Sequence, residues 1–231
     1  MKVDEIFGPT IQGEGALAGA VSLFVRLGGC DFRCSWCDSL HAVDPANANL
    51  WRELSAVEVC EELRRLRPTW QDGSWCTISG GNPAIWQHEL VELVLALKAR
   101  RLRIAIETQG SLANAAFGHA DLVTLSPKPP SSGMAFDRAK LAACLMATPT
   151  GRACFKFVVA DEQDFQFARE VAAIYPDVPV WVQPLTIGPA EARAFPGYRW
   201  LCEMVANNPL LSEWRVIPQL HVLAWGGERG R

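Results

Sequence analysis

The sequence predicts an α/β protein built on a parallel sheet with crossover helices, either open or curled into a barrel. Three observations predict it. Short apolar runs recur along the chain, longer stretches of helical period separate them, and no linker, repeat or low-complexity tract interrupts the alternation. Strands are expected over VSLFVRL (21–27), SWCTIS (74–79), RIAIE (103–107), DLVTL (121–125), CFKFVVA (154–160) and VWVQPL (180–185), with WRVIP (214–218) as a last candidate. Helices are expected over 55–67, 86–101, 111–118, 162–174 and 189–207. In the first of these, Ser55 and Glu58 stand where a capping box requires them.

Length and composition narrow the class. A chain of 231 residues suits one domain spanning 1–231, and 49% apolar with 20% charged residues is ordinary for a soluble enzyme with a full core. Twenty-two basic against 25 acidic residues leave a net charge of −3, so no general nucleic-acid surface is expected. The start, MKVDEIFGPT, lacks an apolar signal region, and no uncharged apolar run approaches the roughly 18 residues of a membrane span. The expectation is a cytoplasmic protein with no membrane partner.

Cysteine usage carries the first chemical signal. Of eight cysteines, Cys60, Cys76, Cys144, Cys154 and Cys202 are scattered singly and read as small buried hydrophobes. The other three, Cys30, Cys34 and Cys37, crowd into GGCDFRCSWCDS. Structural zinc would want a second cysteine pair or two close histidines, and His41, His88, His119 and His221 stand far apart. A ferredoxin-like cluster would want a fourth cysteine. Three thiolates on an iron–sulfur cluster leave one iron free for a small ligand.

The least packing-like loops follow the predicted strands. Gly28–Gly29–Cys30 follows 21–27, Ser79–Gly80–Gly81–Asn82–Pro83 follows 74–79, and Glu107–Thr108–Gln109–Gly110 closes 103–107. Ser126–Pro127–Lys128 follows 121–125, and Gln183–Pro184 ends 180–185. In parallel α/β sheets and barrels these ends open on one face, where sites are built.

The C-x3-C-x2-C spacing, with Trp36 before the third cysteine, resembles the cluster loop of the radical S-adenosylmethionine (SAM) superfamily. That resemblance implies a partial six-stranded (β/α)6 TIM-like barrel and a [4Fe–4S] cluster on Cys30, Cys34 and Cys37. The open iron of such a cluster binds SAM, which is split to a deoxyadenosyl radical. It further implies SAM contacts from Trp36, Gly80, Gly81, Glu107, Ser126, Pro127 and Lys128. Asn82 stands where the superfamily commonly has Glu, which leaves that position a backbone role.

EIFGPTIQGEG (5–15), Arg26, Cys37–Asp38–Ser39 and QLHVLAWG near the end together resemble the 7-carboxy-7-deazaguanine synthase family. Its members convert 6-carboxy-5,6,7,8-tetrahydropterin to 7-carboxy-7-deazaguanine and ammonia, in queuosine and deazapurine biosynthesis. They use SAM catalytically and depend on Mg²⁺. The resemblance implies substrate contacts from Ile11, Gln12, Gly13, Glu14, Arg26, Ser79 and His221, and places Mg²⁺ on Ser39, with Asp38 as the competing ligand. The residue chemistry suits that substrate: the Gln12 amide donates and accepts, the Glu14 carboxylate accepts from an amino edge, and Arg26 offers a fork to a carboxylate. A flavodoxin or ferredoxin electron donor and a homodimer are expected of the family.

Alternatives stay open at this point. His221 reads equally as a packing residue, and His41, His88 and His119 as surface or helix-end residues. The segment 38–54 reads as a lid near the cluster or a plain loop, and the closing ERGR supports no substrate role. Two other functions compete: another radical SAM enzyme such as a glycyl-radical activase, and a non-enzymatic iron–sulfur or zinc module.

Overall fold

Alternate residues of a strand face opposite sides of a sheet, and in this protein the two sides carry different chemistry. The structure, a computed structural model, describes residues 1–186 and 196–230. In chain order its elements are β1 (Lys2–Ile11), β2 (Val21–Leu27), α1 (Leu40–Val43), β3 (Arg52–Glu53), α2 (Ala56–Leu66), β4 (Trp75–Gly80), α3 (Gln87–Lys98), β5 (Arg103–Thr108), β6 (Leu122–Leu125), α4 (Arg138–Met146), β7 (Ala153–Val159), α5 (Glu162–Ile174), β8 (Val180–Pro184), α6 (Pro196–Ala206), β9 (Arg215–Val216) and α7 (Leu220–Trp225).

The strands form one nine-stranded sheet in the order β3-β1-β2-β4-β5-β6-β7-β8-β9. From β2 to β9 all neighbours are parallel, while β1 pairs antiparallel with β2 and β3. The six strands β2, β4, β5, β6, β7 and β8 are the expected partial barrel, and β3 and β9 leave it open at its edges.

Leu23, Val25, Leu27, Ile78, Ile104, Ile106, Val123, Leu125, Phe155, Phe157 and Val182 form the outward face. They pack with Leu63 of α2, Leu90, Leu93 and Leu97 of α3, and Phe165 and Ala168 of α5. Each such side chain fully removed from water contributes roughly 1.5–3 kcal/mol, so this layer holds the fold. The inward face carries Phe24 and Arg26, Ser79, Glu107, Lys156 and Val158, and Gln183, all around one cavity. Polar residues at core-facing positions of otherwise apolar strands mark that side as the working one.

The expected strands all form. Helices 55–67, 86–101 and 162–174 appear as α2, α3 and α5, and both hydrogen bonds of the Ser55–Glu58 capping box are present. The short elements α1, β3 and α7 have no counterpart among the expected ones, and three longer stretches differ from expectation. The stretch 111–118 is not an α-helix but a short 3-10 turn over Ala115–His119, because Asn114 sits extended and caps Ala116 N, and only one turn follows. β1 was hidden by Gly8 and Pro9 inside its run, residues that demote a strand pattern; the pairing with β2 shifts register between Phe7 and Thr10 to take them. α4 gives little periodic signal, since only Leu141 and Cys144 of it are buried, yet Asp137 caps it at Ala139 N and Lys140 N. The expected helix 189–207 is seen from Pro196, and 189–195 lie outside the described residues. No helix among the described residues is long and apolar enough to cross a membrane.

Candidate active site

The cysteine loop leaves the end of β2 and is held by backbone bonds before any ligand is considered. Gly29 N donates to Ala42 O (2.7 Å), Gly81 N to Leu27 O (3.0 Å) and Asn82 N to Gly29 O (2.8 Å). A Cβ at Gly81 would run into the Gly29 carbonyl, so this approach needs glycine. Across the loop, Ser35 N donates to Ser132 O (3.0 Å) and the Trp36 indole to Ser131 Oγ (2.9 Å). Ser131 Oγ in turn donates to the buried Asp164 of α5 (2.6 Å).

Cys30, Cys34 and Cys37 are free thiols, half-buried, on the wall of a cavity of about 740 Å³. Burial pushes the Cys34 thiol up to about 11, against the pull of Lys128. Burial is also the first cause raising Cys30 and Cys37. Of the remaining cysteines, Cys60, Cys76, Cys144 and Cys154 are buried and Cys202 half-buried, and none lines this cavity. Among the described residues no three His, Cys, Asp or Glu side chains converge on a single-ion site. Three separate thiols on one loop fit a polynuclear iron–sulfur cluster, where each thiolate takes its own iron, better than a mononuclear metal.

Opposite the loop lies a charged lattice. Gln12 donates from Nε2 to Glu107 Oε1 (3.0 Å) and accepts at Oε1 from Glu14 N (3.1 Å). Glu14 ion-pairs with Lys156 of β7 and accepts at Oε1 from Gln219 Nε2 (2.5 Å). Burial would raise the Glu14 carboxyl, but Lys156, His221 and the Gln219 amide outweigh it and hold it well below the usual carboxylate range. Burial likewise disfavours the Lys156 ammonium, and the Glu14 and Glu107 carboxylates more than compensate. Lys128, half-buried and facing Lys156, is lowered by its desolvation and by that neighbouring charge.

Arg26 projects from β2 over the Phe7 ring at 5.6 Å, and Phe7 stacks on Phe24 at 4.8 Å. Its Nε stands 3.5 Å from Glu5 Oε2 without completing a hydrogen bond, and its Nη1 is 3.5 Å from Ser39 Oγ. Ser39 Oγ donates to Asp38 Oδ1 (2.9 Å), so a hydroxyl and a carboxylate lie side by side at the cavity wall beside Arg26.

Ile11, Gln12, Gly13, Glu14, Arg26, Ser79 and His221 line this one cavity, as do Trp36, Gly80, Gly81, Glu107, Ser126 and Lys128. Pro127 lies instead in a small neighbouring pocket that shares Phe32, Gln109 and Lys128 with it. Asn82 turns its side chain away: it is fully buried and bonded to Asp31, Ser111, Thr108 and Ala84 N. His88 and His119 are exposed, whereas His41 pairs with Asp4 at 2.7 Å and reaches the cavity. The segment 38–54 packs rather than hovers: Ala42 and Val43 are buried and β3 pairs with β1.

Sequence reasoning gave no role to Lys156 or Thr186, placed Gln183 only at a strand end on the site face, and met Gln219 only as the first residue of QLHVLAWG. Lys156 carried the same signal as Arg26, a lone charge within an apolar strand. Gln183 Oε1 and Thr186 Oγ1 are buried at the cavity with no hydrogen-bond partner among the described residues.

Residues 24–126 match the radical SAM superfamily. The 7-carboxy-7-deazaguanine synthase of Bacillus cereus is 38% identical over 98% of this chain and 97% of its own. That of Bacillus subtilis is 38% identical over 98% and 96%, and that of Hyperthermus butylicus 34% over 96% and 92%. In fold, the chain is similar to the crystal structure of QueE from Escherichia coli, with a TM-score of 0.71, 23% identity and coverage of 94% and 93%. Similarity this deep over nearly the whole of each chain, joined to the cysteine loop and the cavity it faces, means that the chain belongs to the 7-carboxy-7-deazaguanine synthase family of radical SAM enzymes.

Proposed function

We propose that this cavity binds 6-carboxy-5,6,7,8-tetrahydropterin beside SAM and contracts it to 7-carboxy-7-deazaguanine with loss of ammonia. One observation carries the reading: the three free thiols of the cysteine loop and the Gln12, Glu14 and Arg26 lattice line the same cavity. A glycyl-radical activase would not need that lattice, and a binding module would need neither it nor an open cluster.

When bound, the [4Fe–4S] cluster and SAM supply the one-electron chemistry that starts the reaction. The protein's own residues do the rest. Arg26, its Nε unsatisfied and its ring contact fixed by Phe7, receives the substrate carboxylate as a two-pronged donor. Glu14, kept ionised by Lys156, accepts from the pterin amino edge, and Gln12, braced by Glu107, sits beside it. The free acceptors of Gln183 and Thr186 take further N–H groups of the ring. α7 closes the near side, with Leu220 N bonded to Gly13 O at 3.0 Å, and limits water at the ring.

Ser39, with Asp38 beside it as the competing ligand, would hold the Mg²⁺ that polarises the substrate carboxylate, an ion that prefers oxygen ligands and keeps several waters. Trp36, Gly80, Gly81, Glu107, Ser126, Pro127 and Lys128 would hold SAM. In the cell the enzyme works as a cytoplasmic homodimer of single-domain chains, reduced by a flavodoxin or ferredoxin. The test is anaerobic reconstitution with iron and sulfide, then incubation with SAM, reductant, Mg²⁺ and the carboxytetrahydropterin. Mass spectrometry should find a product lighter by one ammonia over many turnovers per SAM. Deoxyadenosine without that product would retain SAM cleavage and refute the substrate.

A further inference from the structure

Beside the first cluster cysteine, one buried amide serves two acceptors of unlike consequence. Gln109 Nε2 donates to Asp31 Oδ1 at 2.6 Å and stands 3.5 Å from Cys30 Sγ, within reach for sulfur. Asp31 Oδ1 accepts a second amide, from Asn82 Nδ2 at 2.8 Å. Gln109 is 7% exposed and Asn82 fully buried. Asn82 spends its other bonds on Ser111, Thr108 Oγ1 and Ala84 N, so it is immobile. Gln109 directly follows Thr108, the last residue of β5, and its position is therefore set by the sheet rather than by the loop it touches. The loop thus carries a fixed carboxylate immediately after a ligating thiolate, and a fixed amide that addresses both.

We propose that Asp31 and Gln109 bias the reduction of the cluster in opposite directions, the carboxylate disfavouring the added electron and the amide favouring it. Reduction brings one electron, from a low-potential one-electron donor of the flavodoxin or ferredoxin class, and adds one negative charge to the cluster without a bond being made or broken. A carboxylate beside Cys30 repels that charge. An amide N–H donated to the thiolate stabilises it, and the same amide draws charge from Asp31. Hydrogen bonds to cluster sulfurs and net local charge are established determinants of such potentials. Asp31 keeps an exposed face while Gln109 is buried, so water screens the carboxylate more and the amide has the larger effect.

The inference rests on the iron–sulfur reading of Cys30, Cys34 and Cys37. Its test is a mediated redox titration, followed by electron paramagnetic resonance, of the reconstituted full chain without SAM. Gln109→Met removes both donations at nearly constant volume and should lower the midpoint potential. A tenfold change in the oxidised–reduced equilibrium would read as about 59 mV for one electron. Asp31→Asn removes the charge while an amide oxygen still accepts from Gln109 and Asn82, and should raise the potential by less. Mere damage to the loop would lower iron content or move both variants the same way, so opposite signs are the signature. If Asp31→Asn does not hold its cluster, Asp31→Ser, which also removes the charge and keeps an oxygen acceptor, takes its place in the comparison of signs. Full clusters with unmoved potentials, or shifts of one sign in both, would overturn it. A wild-type chain that loads no cluster would overturn the iron–sulfur reading and this inference with it.

Discussion

Glu14 and Lys156 are the residues where physical chemistry and function meet most closely. Their side chains are 13% and 10% exposed, so neither charge is tolerable without the other. Glu14 is held below its ordinary 4.5 and Lys156 above its ordinary 10.5. The pair therefore stabilises the fold between about pH 4.5 and 10.5. That contribution fades in acid as Glu14 takes a proton, and in base as Lys156 loses one. Lys156→Met leaves the carboxylate buried beside Gln219 and His221 only, and should cost about 3–5 kcal/mol near neutral pH. Burial then dominates and raises the Glu14 carboxyl, so the deficit against wild type should widen as pH rises from 5 to 8. Urea midpoints measured anaerobically across that range would show it, and Glu14→Gln with Lys156→Met should recover most of the loss. A deficit independent of pH would mean that Glu14 is not the affected charge. At this scale the sequence was legible where residue type is rare or crowded: three cysteines in eight residues, or Arg26 alone in an apolar strand. It was silent where a role comes from a distant partner, as with Gln219, which sits 205 positions from Glu14.

Among the elements, α7 contributes most to the cavity for its length. It is six residues long with no buried residue of its own, and it stays in place through Gln219, the Gly13 carbonyl and the fit of His221 over Gly13. A Cβ at Gly13 would run into the His221 ring and the backbone N–H of the same residue. Gly13→Ala should therefore displace α7 and weaken pterin affinity by tenfold or more, about 1.4 kcal/mol. The cysteine loop stands on other supports, so iron content and SAM binding should be unchanged. Faster hydrogen exchange over 220–226 in the variant would locate the change; unaltered pterin affinity would mean that α7 does not close the site. The same contrast explains which elements could be read from sequence. α2, α3 and α5 declare themselves by period, because each buries a regular apolar stripe, and α2 and α5 also by their caps Ser55 and Asp161. α4 and α7 bury little, so no period advertises them, and β1 carries glycine and proline in the middle of its run.

For the molecule as a whole, stability and chemistry occupy opposite sides of one sheet. The apolar layer between the strands and α2, α3 and α5 contains none of the cysteine-loop ligands. The loop itself is fastened by backbone bonds to Ala42, Asn82 and Ser132 and by Trp36 to Ser131. The cluster is thus not what holds the strands together, unlike a small metal domain that is unfolded without its ion. Stripping iron with a chelator should leave the far-ultraviolet circular dichroism unchanged and the unfolding transition cooperative. The midpoint should fall only by the cluster's own binding contribution. Adding back iron and sulfide should restore it, and SAM at a hundred times its dissociation constant should add about 2.7 kcal/mol to the reconstituted protein alone. Loss of helical signal on chelation would show that the loop, and not the outer layer, organises the barrel. SAM stabilising the iron-free chain equally would show that its binding energy comes from Gly80, Gly81 and Lys128 without the open iron. The expected result, a stable scaffold whose ligand response depends on iron, follows from a sheet that commits one face to packing and leaves the other free for polar residues a core would not tolerate.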